Sequence, residues 1–133
     1  MATTVEIDDL PIVIITGGAG FLGRHLVRRL LNDKDEKYRV IVIDNLRSST
    51  GKDPILMHER VTFVQKSVVD FPFTTISSLL SRGKIRYIFY AASCASPPTY
   101  QAHALETLRV NTAALDQWCL FAREQSTKLI YFS

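Results

Sequence analysis

A chain of 133 residues with 47% apolar content and a formal charge of +3 is sized for one packed domain. Its cations, Arg24, Arg28, Arg29, Lys34, Lys37, Arg82, Lys84 and Arg86 among them, are scattered, with no basic block interleaved with aromatics, which argues against a nucleic-acid partner. No apolar stretch approaches the ~20 residues of a membrane span, residues 1–10 lack a signal-peptide core, and Cys94 and Cys119 have no metal-ligand spacing, so a cytoplasmic protein with reduced thiols and no metal is expected.

Residues 1–11 read as an N-terminal extension and 12–133 as the domain. The apolar run at 12–16 predicts a buried strand. Glycines follow at Gly17, Gly18, Gly20 and Gly23, and helical periodicity then runs over 20–32. Strand, glycine loop and helix together are the context of a dinucleotide phosphate site. Glycine permits the tight turn and lets the backbone approach a pyrophosphate, while the helix start offers free N–H groups. Two registers fit: Gly18-Gly20-Gly23 as G-x-G-x-x-G, and Gly17-Gly20-Gly23 as G-x-x-G-x-x-G.

A polar turn at 32–37 leads to a second strand, 40–44, ending in Asp44, twenty-one residues after Gly23. That spacing suits a carboxylate accepting from adenosine ribose hydroxyls, and it argues for NAD over NADP because Asp44 repels a 2′-phosphate. A polar loop spans 45–60. A third strand is expected at 61–66, a helix at 73–81 with Ile76, Leu79 and Leu80 on one face, and a fourth strand at 85–91. A long helix is expected at 102–125, with Leu105, Leu108, Ala114, Leu115, Trp118 and Ala122 near one face. A fifth strand covers 128–132. The alternation predicts an α/β fold of Rossmann type, a doubly wound parallel sheet of about five strands. His25 reads as a packing or solvent-facing residue, Met57 and Trp118 as packing residues, and Pro97-Pro98 as stiffening a loop. His58 and His103 sit in polar contexts without ligand-spaced partners. The 102–125 helix carries further apolar residues, Cys119, Leu120 and Phe121; either it is buried in its own domain or it forms a homodimer or heterodimer interface.

Thr16 to Gly23, together with Asp44-Asn45-Leu46, resembles the extended short-chain dehydrogenase/reductase family of nucleotide-sugar epimerases, dehydratases and decarboxylases. Ala92-Ser93-Cys94-Ala95-Ser96-Pro97-Pro98-Thr99-Tyr100 is similar to the segment after strand four in the UDP-glucuronate decarboxylase branch, and Asn111 stands where the family has its helix asparagine. The resemblance implies a cofactor site of Gly17, Gly20, Phe21, Leu22 and Gly23 in the loop, Asp44, Asn45, Arg47 and Ser48 after strand two, Ser67 and Val68 after strand three, and Ala91 and Ser93 after strand four. It implies Tyr100 and Arg109 near the sugar. Departures are Ser67 in place of an adenine-binding Asp, Tyr90 in place of a His, Cys94 in place of a Pro, and Arg109 in place of a Lys.

The implied activity is NAD-dependent conversion of UDP-glucuronate to UDP-xylose through a 4-keto intermediate, with a 4-epimerase or a 4,6-dehydratase as alternatives. The family's proton acceptor is a Tyr-x-x-x-Lys pair. None of the five tyrosines here has Lys four residues on. The chain is therefore expected to be truncated before the catalytic helix, with the C-terminal substrate domain absent. On that basis it is either the inactive cofactor half of such an enzyme or a non-catalytic NAD-binding isoform that dimerises.

Overall fold

Five strands, β1 (Ile12–Thr16), β2 (Arg39–Asp44), β3 (Val61–Gln65), β4 (Ile85–Tyr90) and β5 (Lys128–Tyr131), form one sheet in a computed structural model that describes residues 6–93 and 96–132. All pairings are parallel, in the order β3-β2-β1-β4-β5. The chain moves outward from β1 to β3, then crosses to β4 on the other side of β1. The order reverses between β1 and β4, and such a switch point opens a crevice at the carboxyl ends of the strands.

The two faces of the sheet follow from the pleat. Alternate residues of β1 enter different cores, Ile12 and Ile14 on one side and Val13 and Ile15 on the other. All four are fully buried, which is why the strand reads as an unbroken apolar run. Helix α1 (Phe21–Leu31) packs Val27 and Leu31 onto the second face, over β1 and β2. The first face is covered by α2 (Thr74–Leu79) through Ile76 and by a C-terminal helical segment through Val110, Ala114, Trp118, Phe121 and Ala122. Trp118 is wholly buried among Phe71, Phe73, Tyr90 and Phe121, and its indole N–H donates to the Val68 carbonyl at 3.3 Å.

That segment is not the single helix expected at 102–125. It is three: α3 (Pro97–Ala102), α4 (Ala104–Asn111) and α5 (Ala113–Glu124). The chain leaves helical geometry at His103 (φ −124°, ψ 45°) and Thr112 (φ −129°, ψ −89°). The Thr107 and Thr112 hydroxyls donate back to the carbonyls four residues earlier, at 2.9 and 2.7 Å, and such bonds bend a helix. Pro97 and Pro98 do not stiffen a loop; they occupy the first turn of α3, where the missing N–H has no intrahelical role.

The breaks re-aim the faces. Leu105 and Leu108, expected inward, are 60% and 59% exposed, and Val110 takes the buried position of α4. Met57 is likewise not a packing residue: in the tight turn Pro54–Met57, Leu56 fills the core and Met57 is 87% exposed. Residues 6–11 are tied to the domain. Leu10 is buried, Arg82 pairs with Glu6 and Asp9, and the Ile12 amide donates to the Lys84 carbonyl at 2.9 Å.

Candidate functional site

The glycine loop settles its own register. Gly17 has φ +74°, which favours glycine, and a Cβ there would stand 2.5 Å from the Ala91 carbonyl oxygen. Its amide donates to the Ile43 carbonyl at 2.7 Å. A Cβ on Gly23 would overlap the Gly17 carbonyl, so Gly23 is what lets α1 rest on the end of β1. Gly20 caps α1, and a Cβ there would meet only the Gly17 oxygen at 3.4 Å, with open cavity otherwise. Turn, close approach and helix packing thus fall on Gly17, Gly20 and Gly23 respectively. Gly18 instead packs against Val42. The first intrahelical bond runs from the Arg24 amide to the Gly20 carbonyl, leaving the amides of Phe21, Leu22 and Gly23 ahead of it at the positive end of the helix dipole.

Asp44, at the end of β2, holds the loop from the side. Its Oδ2 accepts from the Ala19 amide at 3.0 Å and its Oδ1 from the Leu46 amide at 2.8 Å. Each carboxylate oxygen retains a lone pair for a further donor. The Leu46 bond also steadies a left-handed residue, φ 61°. On the β4 side, the buried Thr16 hydroxyl accepts from the Ala91 amide at 3.1 Å.

These loops enclose a cavity of about 610 Å³ at the switch point. All thirteen residues expected in the cofactor site line it. They are Gly17, Gly20, Phe21, Leu22 and Gly23 at the loop, then Asp44, Asn45, Arg47 and Ser48, with Ser67 and Val68 past β3 and Ala91 and Ser93 past β4. The Ser67 hydroxyl accepts from the Val69 amide at 3.0 Å, so it shapes its own turn while facing the cavity. Tyr100 and Arg109 are not on the wall; both are surface residues, Tyr100 38% exposed. Cys94 and Ala95, within the segment that carries the decarboxylase resemblance, lie outside the described residues, as does Ser133.

The opposite wall was not foreseen. Ser96, Thr99, His103, Glu106, Thr107 and Val110 contribute it, and Lys66, Ile43, Ala92 and Phe132 also line the cavity. His103, Glu106 or Thr107, and Val110 follow helical spacing, a pattern visible in the sequence but one position away from the stripe of Leu105 and Leu108. This wall is fastened to the β2 loop. Arg47 Nε donates to Glu106 Oε2 at 2.7 Å, Asn45 Nδ2 to Glu106 Oε1 at 3.3 Å, and Arg47 Nη1 to His103 Nδ1 at 3.3 Å. His103 is therefore part of a clasp.

Beside Ser93, Asn111 donates to the serine hydroxyl at 3.1 Å and accepts from Tyr131 at 3.0 Å. Tyr90 is sealed away: it is 1% exposed, and its hydroxyl donates to the Val110 carbonyl at 2.6 Å. Burial first, and then Tyr131 and Cys119, push its pKa well above the usual phenol range, so it stays protonated. His25 is exposed and stacks edge-on with Phe21. Among the described residues, no group of three His, Cys, Asp or Glu could hold a metal ion, and no helix is long and apolar enough to cross a membrane.

Residues 13–133 match the NAD dependent epimerase/dehydratase family. UDP-glucuronic acid decarboxylase 1 of Danio rerio is 29% identical over 127 residues, covering 94% of this chain and 28% of the relative. UDP-glucuronic acid decarboxylase 1 of Arabidopsis thaliana is 35% identical over 103 residues, covering 74% of this chain and 20% of the relative. UDP-glucose 4-epimerase of Thermotoga maritima, solved with UDP-glucose, superposes with a TM-score of 0.70 at 26% identity, covering 90% of this chain and 37% of that one. The chain thus spans a quarter or so of the length of these curated relatives.

Proposed function

Because the chain belongs to the NAD dependent epimerase/dehydratase family, we propose that its cavity binds NAD and that it is the cofactor-binding part of a nucleotide-sugar enzyme resembling UDP-glucuronic acid decarboxylase. The observation that carries this is the cradle at Gly20: a helix start with free amides, a glycine whose missing side chain leaves the space open, and Asp44 on the same wall. A pyrophosphate suits the amides of Phe21, Leu22 and Gly23, and ribose hydroxyls suit the free lone pairs of Asp44. Ser67 and Val68 flank the place for an adenine.

What NAD supplies is a reversible hydride acceptor. The chain's own residues bind and orient it. In this reading Ser93, held by Asn111, faces the reacting end. Tyr90 does not act as a base, being buried and held protonated. The 35% identity to a plant decarboxylase favours that branch over the 4-epimerases and 4,6-dehydratases. A second reading is an NAD-binding subunit that pairs with another chain. Exposed Leu105, Leu108 and Leu120 support pairing with another subunit along α4 and α5, and the exposed free Cys119 suits the reducing cytoplasm.

Calorimetry with NAD⁺ and NADP⁺ tests the proposal. NAD⁺ should bind more tightly, and Asp44→Ala should cost about 1–3 kcal/mol, the loss of charge-assisted hydrogen bonds. Equal or tighter binding of NADP⁺ by the parent chain would sink it.

A further inference from the structure

The end of β2 carries two opposed devices within four residues. Asp44 repels a 2′-phosphate. Arg47, on the same cavity wall, is the side chain suited to grip one, since its planar fork matches phosphate geometry. Which device prevails depends on where the guanidinium is held. In the structure it is held by α4: Nε of Arg47 donates to Glu106 Oε2 at 2.7 Å, while Glu106 Oε1 accepts from Asn45, two residues before Arg47, at 3.3 Å. The Glu106 side chain is 25% exposed and that of Arg47 49%. The carboxylate is therefore the more enclosed partner, and Asn45 holds the oxygen that Arg47 does not.

We propose that Glu106 is a specificity-determining residue that sets NAD over NADP by holding Arg47, neutralised, away from the ribose 2′ position. This rests on the NAD-binding reading above. Glu106 acts through Arg47 and is a positioning residue. His103 Nδ1 also accepts from the Arg47 guanidinium, at 3.3 Å. With Glu106 in place, a 2′-phosphate would meet two carboxylates, Asp44 and Glu106, and would have to take Arg47 from a shorter bond than any it makes elsewhere on this wall. Lys66 is the other cation lining the cavity; it is exposed, past β3, and it provides the control.

The test measures NAD⁺ and NADP⁺ affinities of the parent chain, Glu106→Gln, Glu106→Gln with Arg47→Ala, and Glu106→Gln with Lys66→Ala, each checked for folding by circular dichroism. Glu106→Gln should raise the affinity for NADP⁺ relative to NAD⁺ about fivefold, the scale of one freed surface charge. The gain should shrink as salt rises. Adding Arg47→Ala should abolish it; adding Lys66→Ala should leave it. If the parent binds NAD⁺ but Glu106→Gln leaves the cofactor ratio unchanged, or weakens both cofactors alike, the role of Glu106 is refuted and the NAD site stands. Loss of the gain with Lys66→Ala but not with Arg47→Ala refutes the route through Arg47. A parent chain that binds neither dinucleotide overturns this inference together with the reading beneath it.

Discussion

Replacing Gly20 by valine separates ligand approach from folding. Gly20 has extended backbone (φ −76°, ψ 178°), open to valine, and a Cβ there meets nothing nearer than the Gly17 oxygen at 3.4 Å. The fold should lose no more than the difference between glycine and valine as a helix cap, about 1 kcal/mol. The isopropyl group, however, stands in the cavity where phosphate oxygens must approach the first-turn amides. Losing two charge-assisted hydrogen bonds, each about 1.5–3 kcal/mol, removes roughly 3 kcal/mol or more, about a hundredfold in Kd. Gly23→Val is the contrasting variant. Its Cβ overlaps the Gly17 carbonyl and lies 2.5 Å from Gly18 Cα, so α1 must move off β1. Overpacking of that kind costs about 1–3 kcal/mol or more. Thermal melts and calorimetry with NAD⁺ read both quantities. Gly20→Val should melt within about 5 °C of the parent, with no measurable binding heat; Gly23→Val should melt lower. A Gly20→Val protein that binds NAD⁺ with the parent's Kd, or that unfolds alongside Gly23→Val, refutes the assignment of roles within the loop.

The 133-residue chain should neither decarboxylate nor epimerise UDP-sugars, because hydride removal from an alcohol stalls without a base for the hydroxyl proton. UDP-xylose or a 4-keto sugar formed above background from UDP-glucuronate and NAD⁺, and lost with Gly20→Val, would contradict this. Trp118→Ala should destabilise the domain by about 3–5 kcal/mol, since a fully buried indole is removed from an aromatic cluster together with its bond to Val68; a chemical-denaturation change below about 1 kcal/mol would contradict the packing argument. The Ile55 amide first, and then the Arg28 guanidinium, hold the Asp53 carboxyl below the usual carboxylate range. A pKa depressed by folding adds stability above the unfolded value of about 3.9, and that stability fades as pH falls through it toward the folded pKa. Melting temperature should thus drop more steeply below about pH 4 in the parent than in Asp53→Asn, and parallel pH profiles would exclude the linkage.

The parts of the fold legible in the sequence are those fixed by short-range rules. The strands at 12–16 and 40–44 declare themselves through apolar runs, and the loop between them through glycines whose backbone demands few other residues meet. Asp44 was legible because its distance from the loop is set by one βαβ turn. The clasp was not: Asn45 and Glu106 are 61 positions apart, and their meeting depends on how α4 lies across the strand ends. That lie depends in turn on backbone angles at His103 and Thr112, set by back-bonded hydroxyls rather than by any apolar period. A continuous helical pattern over 102–125 was therefore true locally and misleading about which side faced the core, as Leu105 and Leu108 illustrate.

The joint at Thr112 also divides the segment in the time domain. Beyond it, α5 buries Ala114, Trp118, Phe121 and Ala122, whereas α4 buries Val110 alone and α3 buries none. Amide protons of α5 should exchange with solvent only when the whole domain opens, while those of 97–111 should exchange through a smaller opening that leaves the sheet intact. An opening of that size would let a dinucleotide enter without the core coming apart.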